Sequence, residues 1–274
     1  MSDTSVTRPA PDYPTAWRRP PLIEKPLVRY GLVVLTLAYL VWSLGFSLEV
    51  DMARVVQGVD RAGKMFARMV PPDFSRWELL VRGVTESVLI AFAASLVGMI
   101  LAVPLGLAAA RNLAPTPVYL VARFIIVLSR TFHEIIWAIF FVKVVGFGPL
   151  AGVLTLIVAS LSFIAKMLAE DIENMQAGQA EAVRATGASF PKLLIYGILP
   201  QVLPRYFGVS IYRLDANLRH STVVGIVGAG GIGQVLAATF SRYDYDFGLA
   251  ILIVIIGLVF LGEIFSNLIR KRLR

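Results

Sequence analysis

From Ser87 to Ala110 the chain carries no charged side chain. That run exceeds the ~20 mostly apolar residues a helix needs to cross ~30 Å of hydrocarbon. Pro104 and several Gly and Ala residues within it permit close helix contact. Tyr30–Leu48, Val144–Ala165 and Phe247–Gly262 repeat the pattern, the last continuing past Glu263 to Ile269. Two further apolar segments carry charges. Val118–Val142 holds Arg123, Arg130, His133 and Glu134; Tyr206–Ala229 holds Arg213, Asp215, Arg219 and His220. Charges at that depth must face protein or a wet cavity. The chain reads as an all-α membrane protein with six transmembrane helices.

Composition excludes most alternatives. Apolar residues make up 57% of the chain and charged residues 16%, with a mean hydropathy of +0.73; soluble domains average ~45–50% and ~25%. No cysteine is present, which removes disulfide frameworks, thiolate metal sites and cysteine nucleophiles. Two histidines, His133 and His220, make a His-rich metal centre an unsuitable reading. No catalytic residue, metal or cofactor is therefore expected in the chain itself. The net charge of +8 reads as tails and loops held against anionic lipid, not as a nucleic-acid surface.

Charge placement orients the spans. The tail 1–29 holds Arg8, Arg18, Arg19, Lys25 and Arg29, and the tail 270–274 is almost wholly basic. Both point to the cytoplasm by the positive-inside rule, and six spans return the chain to the side it left. The loop 49–85 opposes this with Arg54, Arg61, Lys64, Arg68, Arg76 and Arg82. The expected order is a cytoplasmic tail (1–29), a retained first helix (30–48), an extracytoplasmic loop (49–85) and a core (86–269) with a cytoplasmic loop (166–205). The first helix is too long for a cleaved signal. An inner-membrane, multi-pass location follows.

Two nucleotide patterns fail on context. Gly58–Lys64 fits G-x-x-x-x-G-K, but Met65 stands where magnesium needs a hydroxyl. Gly228–Gly233 fits G-x-G-x-x-G, but ends a membrane span in place of a strand. The glycines there more simply let backbones cross or unwind a helix.

Residues 181–200 read EAVRATGASFPKLLIYGILP. A short helix over Ala180–Ala185 ends at Gly187 in a left-handed cap, and Ser189 caps a second helix with Pro191 in its first turn. Glu181-Ala182, Gly187 and Leu199-Pro200 have the spacing of the EAA loop and resemble ABC-importer permeases, departing at Val183 (usually Ala) and Gly197 (usually Ile). Further segments resemble the phosphonate-type permease over roughly residues 50–270: Pro71-Pro-Asp-Phe-Ser75, Thr85-Glu86, Pro104-Leu-Gly, Ala108-Ala-Ala-Arg-Asn112, Glu134-Ile-Ile-Trp-Ala138 and Gly225–Gly233. One departure is His133, where that family commonly has proline.

The resemblance implies a methionine-permease-like core of at least five helices that carries phosphonates or related phosphorus oxyanions. It implies an ATPase subunit that binds ATP and magnesium, an extracytoplasmic solute-binding protein and a second permease copy. It gives Glu181, Ala182 and Gly187 the contact with the ATPase. Membrane lipid completes the partners, and no nucleic acid is expected.

Asp215 and Arg219, one helical turn apart, can pair. Arg219, His220, Ser221 and Thr222 are the candidate substrate pathway, a basic stretch followed by hydroxyls. Glu134 would repel an anion unless Arg130 neutralised it. Trp42, Trp137, Phe140 and Phe141 read as lipid or core contacts. The rivals are a permease for another solute, such as phosphate or methionine, a self-sufficient channel, and an integral membrane enzyme using Ser129 near His133 or Ser221 beside His220.

Overall fold

The computed structural model describes residues 25–43, 45 and 51–272, all helices and their connections. The chain divides into two units between Gly63 and Lys64. In the first lies α1 (Pro26–Trp42), with proline in its opening turn and no buried side chain. The expected first span runs on to Leu48, beyond the described residues, as does the tail up to residue 24. α2 (Met52–Met69) crosses the division. Its apolar residues Met52, Val55, Val56, Val59 and Phe66 recur at helical spacing, with arginines between them. Gly58–Lys64 lies inside this helix, so it forms no phosphate-binding loop.

The second unit contains α3 (Trp77–Ala108), α4 (Thr116–Thr131), α5 (Glu134–Val145), α6 (Pro149–Glu173), α7 (Ala177–Ala185) and α8 (Phe190–Lys192). A π-helical segment, Leu193–Ile198, leads into α9 (Leu199–Ile226), followed by α10 (Gly231–Ser241) and α11 (Tyr245–Arg272). Among the described residues four stretches are long and apolar enough to cross a membrane, and α4 with α5 adds a fifth as one bent pair. With the shorter apolar α1, these cover the six segments expected.

Boundaries differ in several places: α3 starts at Trp77, within the expected loop 49–85, and α6 and α9 run into the expected loop 166–205, to Glu173 and from Leu199. Two further differences have a local cause. The segment Val118–Val142 is not one helix: it breaks at Phe132-His133 and bends by 93°. The fourth span starts at Pro149, not Val144, because Gly146 and Gly148 hold φ of 90° and 133° and end helix there.

α3 and α6 form the centre. Ala91, Ala94, Gly98, Ala102 and Gly106 on α3 meet Ala151, Thr155, Ala159, Ser160 and Ala165 on α6, all buried. A Cβ at Gly98 would lie 2.7 Å from the Ser160 Cβ, so only glycine allows this approach. Lipid is as apolar as a protein core, so close backbone contact must hold these helices together. Outer side chains such as Leu89, Phe92, Phe124 and Ile256 are exposed, which suits a hydrocarbon surround.

At one end of this bundle α3, α4 and α6 are tied by polar groups. The Arg111 N–H and the Arg123 guanidinium both reach Glu173 Oε1 at 2.8 Å, and Asn112 Nδ2 donates to the Ile172 carbonyl at 2.9 Å. The loop 174–198 leaves from this end.

Candidate functional site: a polar cleft at a broken helix

The break between α4 and α5 frees backbone groups that side chains then satisfy. Phe132 and His133 are extended, and the His133 Nδ1 accepts from the Ile135 N–H at 3.3 Å. Trp137 Nε1 donates back to the Ser129 carbonyl at 3.1 Å. The φ of His133 is −63°, the value proline would impose, so histidine fills a position shaped for proline and adds a side-chain cap. Irregular backbone within a span is tolerated where it faces protein or a polar cavity.

A cleft of about 240 Å³ opens at this break, lined by Ser129, Arg130, His133, Glu134, Ser162 and His220, with Phe163 and Arg213. Glu134 is the first residue of α5, where the helix dipole favours its charge. Two side chains hold it: Arg213 Nη2 lies 2.7 Å from Oε1, and His220 Nδ1 lies 2.5 Å from Oε2. Sequence reasoning offered Arg130 as its neutralising partner; Arg213 and His220 take that place. Arg213 also donates from Nε to Ser160 Oγ at 3.2 Å. Asn217, buried one turn on, donates from Nδ2 to Ser160 Oγ and Ser95 Oγ, both at 2.8 Å. Glu134 on α5, Arg213 and Asn217 on α9, Ser160 on α6 and Ser95 on α3 thus form one polar network through the bundle. Ser95, Ser160 and Asn217 were not singled out from sequence. Ser95 and Ser160 are small hydroxyl residues in apolar runs and Asn217 sits among charged neighbours, so each is a weak signal by itself.

The four expected pathway residues do not share a direction, since successive positions on a helix turn by ~100°. His220 lines the cleft with Arg213. Arg219 pairs with Asp215 instead, at 2.8 Å. The Ser221 hydroxyl donates to the Leu218 carbonyl at 2.8 Å and is fully buried. Thr222 is buried, and its carbonyl abuts Gly233 so closely that a Cβ there would overlap it. The glycine run therefore joins α9 to α10. Its first turn also receives α3: the Gly231 N–H donates to Glu86 Oε2 at 3.2 Å and the Ile232 N–H to Ser87 Oγ at 2.9 Å. Neither Ser129 nor Ser221 bonds a histidine; the Ser129 hydroxyl donates to the Ile125 carbonyl.

At the loop end, α7 rests Ala180 against the π-helical segment, where Gly197 leaves only room for it: a Cβ would be 3.3 Å from the Ala180 Cα. Gln201 accepts from the Gln176 N–H at 3.1 Å and donates to the Gly197 carbonyl at 2.7 Å. Glu181, Ala182 and Gly187 are exposed. Gly187 takes φ 74° and its N–H donates to the Arg184 carbonyl at 3.0 Å, the cap expected. Ser189 occupies the N-cap position of α8, though its side chain makes no capping bond.

At the opposite end, Arg76 at the start of α3 meets Asp244 Oδ2 at 2.6 Å before α11, and its guanidinium lies 3.8 Å from the Phe247 ring centroid. Asp73 accepts from the N–H and hydroxyl of Ser75, and its own N–H donates to the Asp246 carbonyl at 3.2 Å. These bonds hold Asp244 and Asp73 below the ordinary aspartate value, Asp244 chiefly through Arg76 and Asp73 chiefly through the Ser75 N–H.

A membrane-type helical bundle with a polar cleft at a broken helix and an exposed loop at one end is the architecture of a transport permease. The chain belongs to the binding-protein-dependent transport system inner membrane component family, whose model matches residues 102–274. It is 35% identical to the phosphite transport system permease protein PtxC of Stutzerimonas stutzeri over 94% of this chain and 90% of that one. It is 40% identical to the phosphate-import permease protein PhnE of Mycolicibacterium smegmatis over 76% of this chain; it spans only 40% of that relative's length. Among solved structures, the MetNI methionine ABC transporter in an inward-facing conformation matches with a TM-score of 0.64 and 26% identity, covering 74% of this chain and 99% of that one.

Proposed function

We propose that this chain is the permease subunit of an ATP-driven importer for phosphorus oxyanions of the phosphate, phosphite and phosphonate class. The observation that carries the reading is the 35% identity to a phosphite permease along 94% of the chain. The relative named for phosphate import extends the class beyond one ion. The basic cleft supports an anionic cargo, which an uncharged solute would not require.

ATP and magnesium belong to a separate ATPase subunit in this account. Its contact is the loop carrying Glu181, Ala182 and Gly187, exposed beside α7. That end faces the cytoplasm, as do both termini, and the end with Arg76 and Asp244 receives a solute-binding protein. A second copy of the chain completes the pore around a two-fold axis, the commonest closed arrangement of identical subunits. Within the membrane, the pathway follows the face of α9 that carries His220.

The test is growth. A host lacking its own phosphorus-oxyanion uptake receives this chain with its ATPase and binding protein, and phosphite or methylphosphonate becomes the sole phosphorus source. Growth on either supports the reading. Methionine uptake without phosphorus uptake would move the chain to the solute of its structural neighbour.

A further inference from the structure

Resting on that reading, we propose that Arg130 is the cation a phosphorus oxyanion contacts as it passes the broken helix. Arg213 is committed: its guanidinium bonds Glu134 and Ser160, and its side chain is 8% exposed. Arg219 is committed to Asp215. Arg130 lines the same cleft, and among the described residues it forms no ion pair, the Glu134 carboxylate there being taken by Arg213. Its guanidinium lies over the Phe163 ring, 5.9 Å from the centroid. The Glu134 charge is cancelled by Arg213 and favoured by the start of α5, and the Arg219–Asp215 pair is neutral. One positive charge remains in the cleft, on Arg130, before any protonation of His220.

The space and the chemistry agree. The cleft of about 240 Å³ has room for a small tetrahedral ion. Guanidinium matches two oxygens of such an ion in one plane, whereas ammonium offers a point charge. Ser129 and Ser162 also line the cleft, but their hydroxyls already donate to the Ile125 and Ala159 carbonyls, which leaves the guanidinium as the donor. A single guanidinium without a second fixed cation beside it keeps the contact weak enough to release the ion, which conduction requires. The Glu134 clamp has a complementary role: without Arg213 and His220 its carboxylate would oppose the anion.

The absence of cysteine makes a specific test available. Arg130→Cys is assembled with a cysteine-free ATPase and the binding protein, reconstituted, and assayed with radiolabelled phosphite. The expected result is at least a tenfold loss of uptake with binding-protein-stimulated ATPase activity retained. An aminoethyl thiol reagent, which restores a positive charge, should then recover much of the uptake, and a neutral methyl reagent should not. Unchanged uptake in Arg130→Cys, or equal recovery by both reagents, overturns the proposal. If that variant does not assemble, Arg130→Lys and Arg130→Gln give the comparison: uptake kept by Lys and lost in Gln supports it, and equal uptake overturns it. A wild-type complex that binds its ATPase yet takes up no phosphite, phosphate or methylphosphonate removes the functional reading itself, and this inference with it.

Discussion

Glu134 and Arg213 stand 79 positions apart in the chain, and their side chains meet at 2.7 Å. The pair fastens the half-helix α5 to α9 and ties the break in the span to the polar network of Ser95, Ser160 and Asn217. A buried pair contributes little over an apolar replacement, but leaving one partner alone costs ~3–5 kcal/mol. Glu134→Ala, which strands Arg213, should therefore cost about 3 kcal/mol, the low end because the carboxylate side chain keeps 19% exposure. The double variant Glu134→Ala/Arg213→Met should recover most of it. Thermal unfolding midpoints in detergent check this, and equal losses in the single and double variants would show that the pair is not the cause.

The junction of α9 and α10 depends on the absence of a side chain at Gly233. Gly233→Ala would drive a methyl group into the Thr222 carbonyl, with the Gly225 backbone only 3.1 Å away on the same side. Gly208 on the same α9 has open space around it. Gly208→Ala should be neutral or slightly stabilising, by up to ~1 kcal/mol, while Gly233→Ala should yield little monodisperse protein. Size-exclusion profiles of the two variants, expressed side by side, decide.

Gly187 is constrained by backbone angle alone, since nothing lies within 4 Å of the place its Cβ would occupy. A β-branched residue at φ 74° is strained by ~1–2 kcal/mol. Gly187→Val should leave the membrane bundle intact, turn the loop after α7, and sharply reduce ATPase binding and coupled hydrolysis. Pull-down of the ATPase subunit reads this directly; wild-type recovery would remove Gly187 from the docking loop.

The bond between Arg76 and Asp244 should make the far end sensitive to acid. The folded Asp244 carboxyl lies below its ordinary value, chiefly because of Arg76, so its contribution is present above the usual carboxylate range near pH ~4. It fades as pH falls through the lowered value. Asp73, held by Ser75, shifts in the same direction. Hydrogen-exchange protection of residues 72–77 and 243–247 should be constant from pH 7 to 5 and drop below pH ~4. Arg76→Met should show reduced protection already at pH 7; identical profiles would contradict the assignment.

The spans were legible because desolvation leaves few choices: all but the last two residues of the uncharged run Ser87–Ala110 lie in α3. The Gly187 cap and the Asp215–Arg219 pair were legible because both are local, set by one residue's φ or one helical turn. The break at His133 was hidden because proline, its usual marker, is absent, and histidine reproduces the geometry by a side-chain cap. Glu134 with Arg213 could not be paired from sequence, since their meeting depends on how α5 and α9 pack. Arg219, His220, Ser221 and Thr222 are consecutive, and a helix sends consecutive side chains to different neighbours. Only His220 of that set reached the cleft.

The central claim is that this chain carries phosphorus oxyanions under the power of a partner ATPase. The most direct measurement is radiolabelled phosphite uptake into vesicles that hold the permease, its ATPase with ATP inside the lumen at the loop end, and the binding protein at the other end. The account predicts accumulation above the equilibrium level that stops when ATP, magnesium or the binding protein is withheld, and that excess unlabelled phosphate or methylphosphonate reduces. Uptake that proceeds equally without ATP, or complete vesicles that accumulate methionine and no phosphorus oxyanion, would contradict it.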